Sequence, residues 1–243
     1  MITYRGISKK GERERNEDSI AVFSREDAFC FVLCDGLGGH GKGDEASAIA
    51  CKTFGDVFEH TFDFYPRTFF MEAIEKTNAN ILSKQRDEGI VSGMKTTLVS
   101  LLVCKDYCTW CHIGDSRLYL FQNNGVTCRT KDHSVPQMLA NAGTIKEKEI
   151  RFHPDRNRLL RALGSDEMPI RYETSSPIKL DSCQAFLLCS DGFWEYIDEK
   201  QMCKTLNGSK DADEWMQKMQ KIVLENGVGK NMDNYSAITV VNG

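Results

Sequence analysis

Carboxylates recur in this 243-residue chain at the points where apolar runs give out. Asp35 ends FVLCD, Asp115 ends CHIGD and Asp191 ends FLLCSD. Asp233 lies in NMDNYS just before the last apolar run, and Glu17 and Asp18 sit just before an early one. One acid at the end of a buried strand is a common solvent-facing accident. Several converging on sheet ends would repel strongly unless cations neutralised them. Ligands that are all oxygen, without His or Cys, select hard ions, Mg2+ or Mn2+. Two such ions sharing one carboxylate sit ~3.5–4 Å apart, hold a bridging hydroxide and clamp an in-line displacement at phosphorus.

The glycines after Asp35 invite a different chemistry. Gly36, Gly38 and Gly41 spell G-x-G-x-x-G, and Gly36 to Lys42 spell G-x-x-x-x-G-K. A dinucleotide fold needs a βαβ unit with an acid about 20 residues beyond the glycines, at the end of the next strand. Here that region holds Asp56, Glu59 and Asp63 inside a helical pattern. A phosphate-binding loop needs Ser or Thr after the lysine, and this chain has Gly43. Both matches read as coincidences of glycine crowding, with Lys42 an ordinary loop or helix-start residue. Lack of a Cβ at Gly36 instead lets its carbonyl approach a metal, while its neighbours turn the chain into a helix.

The elements that must position these acids follow from periodicity. Short alternating or apolar runs at 3–8, 19–24 and 29–35 read as strands. Two amphipathic helices follow, DEASAIACKTFGDVFEHTF and PRTFFMEAIEKTNANILSKQRDE. In the second, Phe70, Ile74, Thr77 and Ile81 recur at helical spacing and Pro66 suits the first turn. Strands return at 97–104, 108–115, 117–122, 125–130, 170–180 and 185–191, with an irregular and helical stretch at 135–165. A helix over 213–227, closed by Gly227, and a strand over 236–242 end the chain. Strands come in groups with hairpin-length connections and helices in pairs. Antiparallel sheets flanked by helices fit that grouping better than a doubly wound parallel sheet.

With 41% hydrophobic and 27% charged residues, the chain reads as one globular domain over 1–243. A net charge of -4 argues against a nucleic-acid or membrane-surface partner, since both want a basic patch. No run approaches the ~18 apolar residues of a membrane span. MITYRGISKKGE lacks a secretory pattern, so the expected location is cytoplasmic. Ten cysteines then read as free thiols packed as small hydrophobes. Cys104, Cys108 and Cys111 have a spacing that could grip an iron–sulfur cluster, and Cys108, Cys111 and His112 match a haem-attachment pattern. On a strand, however, Cys108 and Cys111 point to opposite faces and cannot share one metal.

Taken in order, these residues resemble the metal-dependent protein phosphatase family, the type 2C serine/threonine phosphatases, in their bacterial form. Arg13-x-x-Asn16-Glu17-Asp18 resembles the first family motif, and DGLGGHG from Asp35 resembles the glycine-rich metal loop. Thr96 and Thr97 after Gly93, GDSR ending at Arg117, TKDHS ending at Ser134 and RLLRALG ending at Gly164 are similar to the next four. CSDG around Asp191 and DNYS from Asp233 complete the set. The resemblance implies an α+β fold, a four-layer αββα sandwich of two antiparallel sheets with helices on both outer faces. It implies hydrolysis of phosphoserine and phosphothreonine in proteins by a metal-bridging hydroxide that attacks phosphorus in line, with two core Mn2+ or Mg2+ ions.

The resemblance also implies roles. Asp35 bridges both metals, with the Gly36 carbonyl on one. Asp191 and Asp233 complete the other, and Glu17 and Asp18 hold metal-bound waters. Asp115, with Asp191, forms a third and weaker site. Arg13 grips the substrate phosphate, for which its forked donors suit. Partners are phosphorylated proteins, the substrates of a serine/threonine kinase, and residues 135–165 correspond to a variable flap. Departures are also present. Leu37 replaces the histidine that eukaryotic relatives carry after D-G, His40 matches the bacterial loop as a structural residue, and a metal-bound water is left as proton source. Lys95 stands where the G-T-T glycine is expected and Leu160 where a threonine is; neither removes a metal ligand. The alternative is a catalytically weak or inactive phosphoprotein-binding module on the same fold.

Overall fold

The computed structural model describes residues 1–38, 42–62, 64–90 and 93–243. Along the chain run strands β1 (Ile2–Lys9), β2 (Ser19–Arg25), β3 (Ala28–Cys34) and the short β4 (Gly36–Leu37). Helices α1 (Gly43–His60) and α2 (Pro66–Asp87) come next, followed by β5 (Lys95–Thr96), β6 (Leu98–Cys104), β7 (Tyr107–Ile113), β8 (Arg117–Gln122) and β9 (Gly125–Arg129). Helix α3 (Val135–Asn141) and a 3-10 turn (Glu147–Phe152) occupy the flap, before β10 (Glu173–Thr174), β11 (Ile178–Lys179) and a second 3-10 turn (Leu180–Ser182). The remaining elements are β12 (Ala185–Cys189), α4 (Asp191–Trp194), α5 (Glu199–Asn207), α6 (Ala212–Gly227) and β13 (Tyr235–Asn242).

The strands form two antiparallel sheets, ordered β1-β13-β12-β8-β9 and β10-β7-β6-β3-β2. Period-two alternation divides each strand between two cores. Phe31, Leu33, Val99 and Leu101 of one sheet meet Leu118, Leu120, Phe186 and Ile238 of the other in the interior of the sandwich. Their neighbours Cys30, Val32 and Leu102 turn outward and pack under α1 and α2, against Phe54, Phe70 and Ile74. On the other side, Tyr119, Phe121 and Leu187 pack under Trp215, Met219 and Met202 of α6 and α5. The four-layer α+β sandwich implied by the sequence is therefore the fold.

Local sequence explains most boundaries. Asp44 and Glu45 place negative charge at the start of α1, and Pro66 begins α2, whose Phe70, Ile74, Thr77 and Ile81 are all buried. Cys108 faces the interior between the sheets and Cys111 the helical layer, so the two share no site. No helix among the described residues is long and apolar enough to cross a membrane.

Two expectations need correction. The stretch 170–180 is not one strand but the pair of two-residue strands β10 and β11, both against β7. Pro177 cannot donate to a ladder, and between the two strands Ser175 takes over, its Oγ accepting from the Trp110 N–H at 3.0 Å. Helix α5 was not anticipated, although Asp198 and Gln201 form a capping box at its start. The box precedes a helix too short to show a clear apolar period.

Phe31 is fully buried where the sheets interlock. Phe31→Ala should lower unfolding free energy by about 3–5 kcal/mol, measured by urea titration. A loss below about 1 kcal/mol would mean that the two sheets do not interdigitate at that point.

Candidate active site

Each acid singled out from the sequence sits where a strand stops. Asp35 links β3 to β4, Asp115 follows β7, Asp191 opens α4 directly after β12, Asp233 precedes β13, and Glu17 and Asp18 precede β2. These ends meet at a cleft of about 650 Å3. Arg13, Glu17, Asp35, Gly36, Asp115, Asp191 and Asp233 all line it, joined by Asn157 and Leu159 from the flap. Asp18 lies behind the lining, buried.

The backbone carrying these acids is fixed by neighbouring hydroxyls and amides. The Asp35 N–H donates to Thr97 Oγ1 at 3.0 Å, and its carbonyl accepts from the Thr97 N–H at 2.8 Å and Thr96 Oγ1 at 2.9 Å. Asn234 fastens the first loop to the last strand. Its Nδ2 donates to the carbonyls of Lys10 and Arg15, both at 2.8 Å, and its Oδ1 accepts from the Glu17 N–H at 2.8 Å. Ser190 Oγ donates to Asp18 Oδ2 at 2.9 Å and accepts from the Ser236 N–H at 2.9 Å. Gly36 is required for a packing reason beyond the one expected. A Cβ there would lie 2.3 Å from the Gly43 carbonyl oxygen and 2.5 Å from that of Glu17, so three segments close on it.

Asp115 has its own support. Trp194 Nε1 donates to its carbonyl at 3.0 Å. Arg117 lies 3.4 Å over the Trp194 ring and grips Asp132 with a fork of 2.8 and 2.7 Å, all of it buried. Thr97, Ser190, Trp194 and Asn234 are the residues that hold the acids in place. Ser190 and Asn234 adjoin an acid at a strand end in the sequence, whereas Thr97 and Trp194 reach theirs only through the fold.

The electrostatics are those of an unneutralised acidic cluster. Burial pushes the Asp35 carboxyl well above the usual range, and Asp18, Asp191, Asp115 and Asp233 push it further. Asp191 is raised in the same way, by burial and then by Asp115, Glu195, Asp233 and Asp18. Asp18 is raised to about 7, first by burial, against the hydrogen bonds from Ser236 and Ser190. Asp115 is raised to about 7 by burial and by Asp132, with Arg117 opposing. Glu17 is raised by burial and by Asp44. Asp35 and Asp191 each still show part of their surface to the cleft. A cation there meets the exposed face of each acid. Among the described residues, Arg13 alone is ion-paired into this cluster, its Nη2 2.6 Å from Asp233 Oδ2, with both side chains substantially exposed.

The donor set fits divalent metal. Asp18 Oδ1 is buried without a hydrogen-bond partner, which normally costs a carboxylate heavily. All the donors are oxygens, which suits Mn2+ and Mg2+. Lys42, the would-be phosphate lysine, instead pairs with Glu45 and, at 2.9 Å, with Glu88. His40, with Gly39 and Gly41, lies outside the described residues. Leu160 points outward, about half exposed, and Lys95 pairs in register with Leu37.

Among the described residues, one tight group of metal-type side chains lies elsewhere: His112, His133 and Glu173, with ligand atoms within 4.8 Å of one another. Three of its four nitrogens are already engaged. His112 Nε2 meets the Lys131 carbonyl at 2.8 Å, Gly114 N–H donates to His133 Nδ1 at 3.2 Å, and Arg161 approaches His133 Nε2 at 3.2 Å. The stacked pair braces the Gly114–Asp115 turn.

Comparison with known proteins agrees with this geometry. The family model for protein phosphatase 2C matches residues 5–235. A serine/threonine phosphatase stp of Listeria welshimeri is 33% identical over 207 residues, covering 83% of this chain and 81% of that protein. The fold is shared with serine/threonine phosphatase Stp1 from Staphylococcus aureus, at a TM-score of 0.89 and 24% identity over 100% of this chain and 96% of the other. The catalytic domain of protein phosphatase PstP, solved in complex with two manganese ions, superposes with a TM-score of 0.82 at 25% identity, over 99% and 97% of the two chains. The chain belongs to the protein phosphatase 2C family, the metal-dependent protein serine/threonine phosphatases.

Two outcomes follow from the geometry. Asn234→Ala should free the Lys10–Glu17 loop and raise the Mn2+ concentration for half-maximal activity by about tenfold, the loss of one to two net hydrogen bonds. An unchanged midpoint would remove Asn234 from the assembly of the cleft. Stability without metal should also depend on pH. Asp18 and Asp115 titrate near 7 when folded and near 3.9 when unfolded, so their contribution is complete below about pH 4. It is lost as pH rises through about 7. Chelator-treated protein should therefore melt lower at pH 8 than at pH 5, and Mn2+ should restore the loss at pH 8. A melting temperature that climbs with pH in chelator would contradict the repulsion.

Proposed function

We propose that the cleft hydrolyses phosphoserine and phosphothreonine in proteins with two core Mn2+ or Mg2+ ions and a third, weaker one. The observation that carries this reading is the convergence of Asp35, Asp191 and Asp233 on one cleft beside the orphaned Asp18 oxygen. Asp35 would lie between the two core ions with the Gly36 carbonyl on one, Asp191 and Asp233 would hold the other, and Glu17 and Asp18 would act through water. Asp115 with Asp191 would hold the third ion. Bound there, the ions would generate a hydroxide nucleophile at neutral pH and offset charge on the phosphate.

The chain's own residues do the rest. Arg13 offers a forked guanidinium at the mouth of the cleft and is now spent on Asp233. A cation on Asp233 would release that fork to orient the phosphate for in-line attack. Leu37 lines the cleft where a histidine would sit, and water would supply the proton for the departing alkoxide. Asn157 and Leu159 bring the flap to the cleft, where a substrate backbone would lie. Residues 1–243 would act as one catalytic unit that opposes a serine/threonine kinase in the cytoplasm.

The test is phosphate release from p-nitrophenyl phosphate and from a phosphothreonine peptide, with and without Mn2+. Asp35→Asn should lower kcat by roughly 10³-fold or more, the scale of losing a group that stabilises charge in the transition state. Arg13→Ala should lower kcat/KM about 10- to 100-fold, for a lost charged hydrogen bond. Full activity in Asp35→Asn would sink the reading. Peptide binding without turnover at any Mn2+ concentration would leave the binding-module alternative.

A further inference from the structure

Cys108 is the second residue of β7, and Cys183 follows the 3-10 turn Leu180–Ser182 on the crossover that leads from β11, beside β7, to β12 in the other sheet. Both side chains lie in the interior between the sheets, and their sulfurs stand 3.7 Å apart, at van der Waals contact. We propose that Cys108 and Cys183 are a modification site, oxidised by a hydroperoxide to a disulfide that ties β7 to the crossover between the two sheets.

Several features set this pair apart from the other thiols. The two sulfurs share one hydrogen bond, and that contact lowers the Cys183 thiol below the usual cysteine range, which favours it as the attacking sulfur. Cys30, by contrast, is pushed up to about 12 by burial, and Cys111 and Cys189 are raised by the same cause. Cys183 is almost wholly buried, and it directly follows the exposed Asp181 and Ser182, so it lies near the surface of the sandwich.

The chemistry balances. The Cys183 thiolate attacks the outer oxygen of the hydroperoxide and becomes a sulfenic acid, while the O–O bond breaks and an alcohol leaves, or water when the oxidant is hydrogen peroxide. The Cys108 sulfur then attacks the Cys183 sulfur, giving up its proton and expelling water. Two thiols lose two electrons to one peroxide.

The cross-link would join residues 75 apart in sequence, a long loop whose closure constrains the unfolded chain. It lies away from the chemistry. Cys108 precedes Asp115 by seven residues, roughly 23 Å along an extended strand. Stability should change and turnover should not.

The experiment treats the full Mn2+-loaded chain with hydrogen peroxide, blocks remaining thiols with iodoacetamide and maps peptides without reductant. The expected result is a Cys108–Cys183 linked peptide and loss of two of the ten thiols, reversed by dithiothreitol. The melting temperature should rise by about 5 °C or more, with p-nitrophenyl phosphate turnover unchanged. Cys183→Ser should leave Cys108 alkylatable after peroxide and remove the rise. If that variant folds poorly, Cys108→Ser serves, with Cys183 stopping at a sulfenic or sulfinic acid. A cross-link between other cysteines, over-oxidised Cys183 beside alkylated Cys108 in the wild type, or ten unmodified thiols would overturn the proposal.

Discussion

Mutual repulsion among carboxylates held at one end of a β-sandwich is the constraint on which the rest of this structure depends. Asp35 and Asp191 are both raised by burial and by neighbouring carboxylates, Asp115, Asp233 and Asp18 among them, and Asp18 carries an oxygen with no hydrogen-bond partner. A fold that only needed to be stable would place alcohols or amides there. Two sheets, two helical layers and several capped turns spend their packing on keeping these acids together, and the stability gained elsewhere offsets that strain.

The sandwich does this by separating cores from ends. Strand alternation and the apolar faces of the helices generate three apolar cores, and these hold the strands in a fixed register. Once register is fixed, an acid placed immediately after a strand is carried to the rim of its sheet. Precision within the rim then comes from short polar side chains. Thr97 fixes Asp35, Ser190 fixes Asp18, and Asn234 ties the loop bearing Arg13 and Glu17 to the strand that follows Asp233. Each of these contacts bridges segments far apart in sequence, so the cleft exists only in the completed fold.

That division also explains how much was legible beforehand. Strands such as 117–122, a short apolar run between turn residues, were readable to the residue, because apolar runs and turn residues are local signals. The acids were readable because each interrupts an apolar run. Helix α5 was missed although its capping box is a local signal, and the break at Ser175–Pro177 is decided by what pairs against β7. The two glycine patterns after Asp35, set aside as coincidences, carry no phosphate-binding meaning for a related reason. They describe a local turn, whereas Gly36 is glycine because the backbones of Glu17 and Gly43 press on it. The supporting roles of Asn234 and Trp194 are tertiary facts, and the sequence marked only the adjacency of Asn234 to an acid.

The central claim is that Asp35 stands between metal ions at the rim of the two sheets. Crystals grown with Mn2+ and measured at the manganese absorption edge test it most directly. The account predicts anomalous peaks on both sides of the Asp35 carboxylate, within ligand distance of Asp191, Asp233 and the Gly36 carbonyl. A cleft without peaks, or manganese seated only among His112, His133 and Glu173, would contradict it.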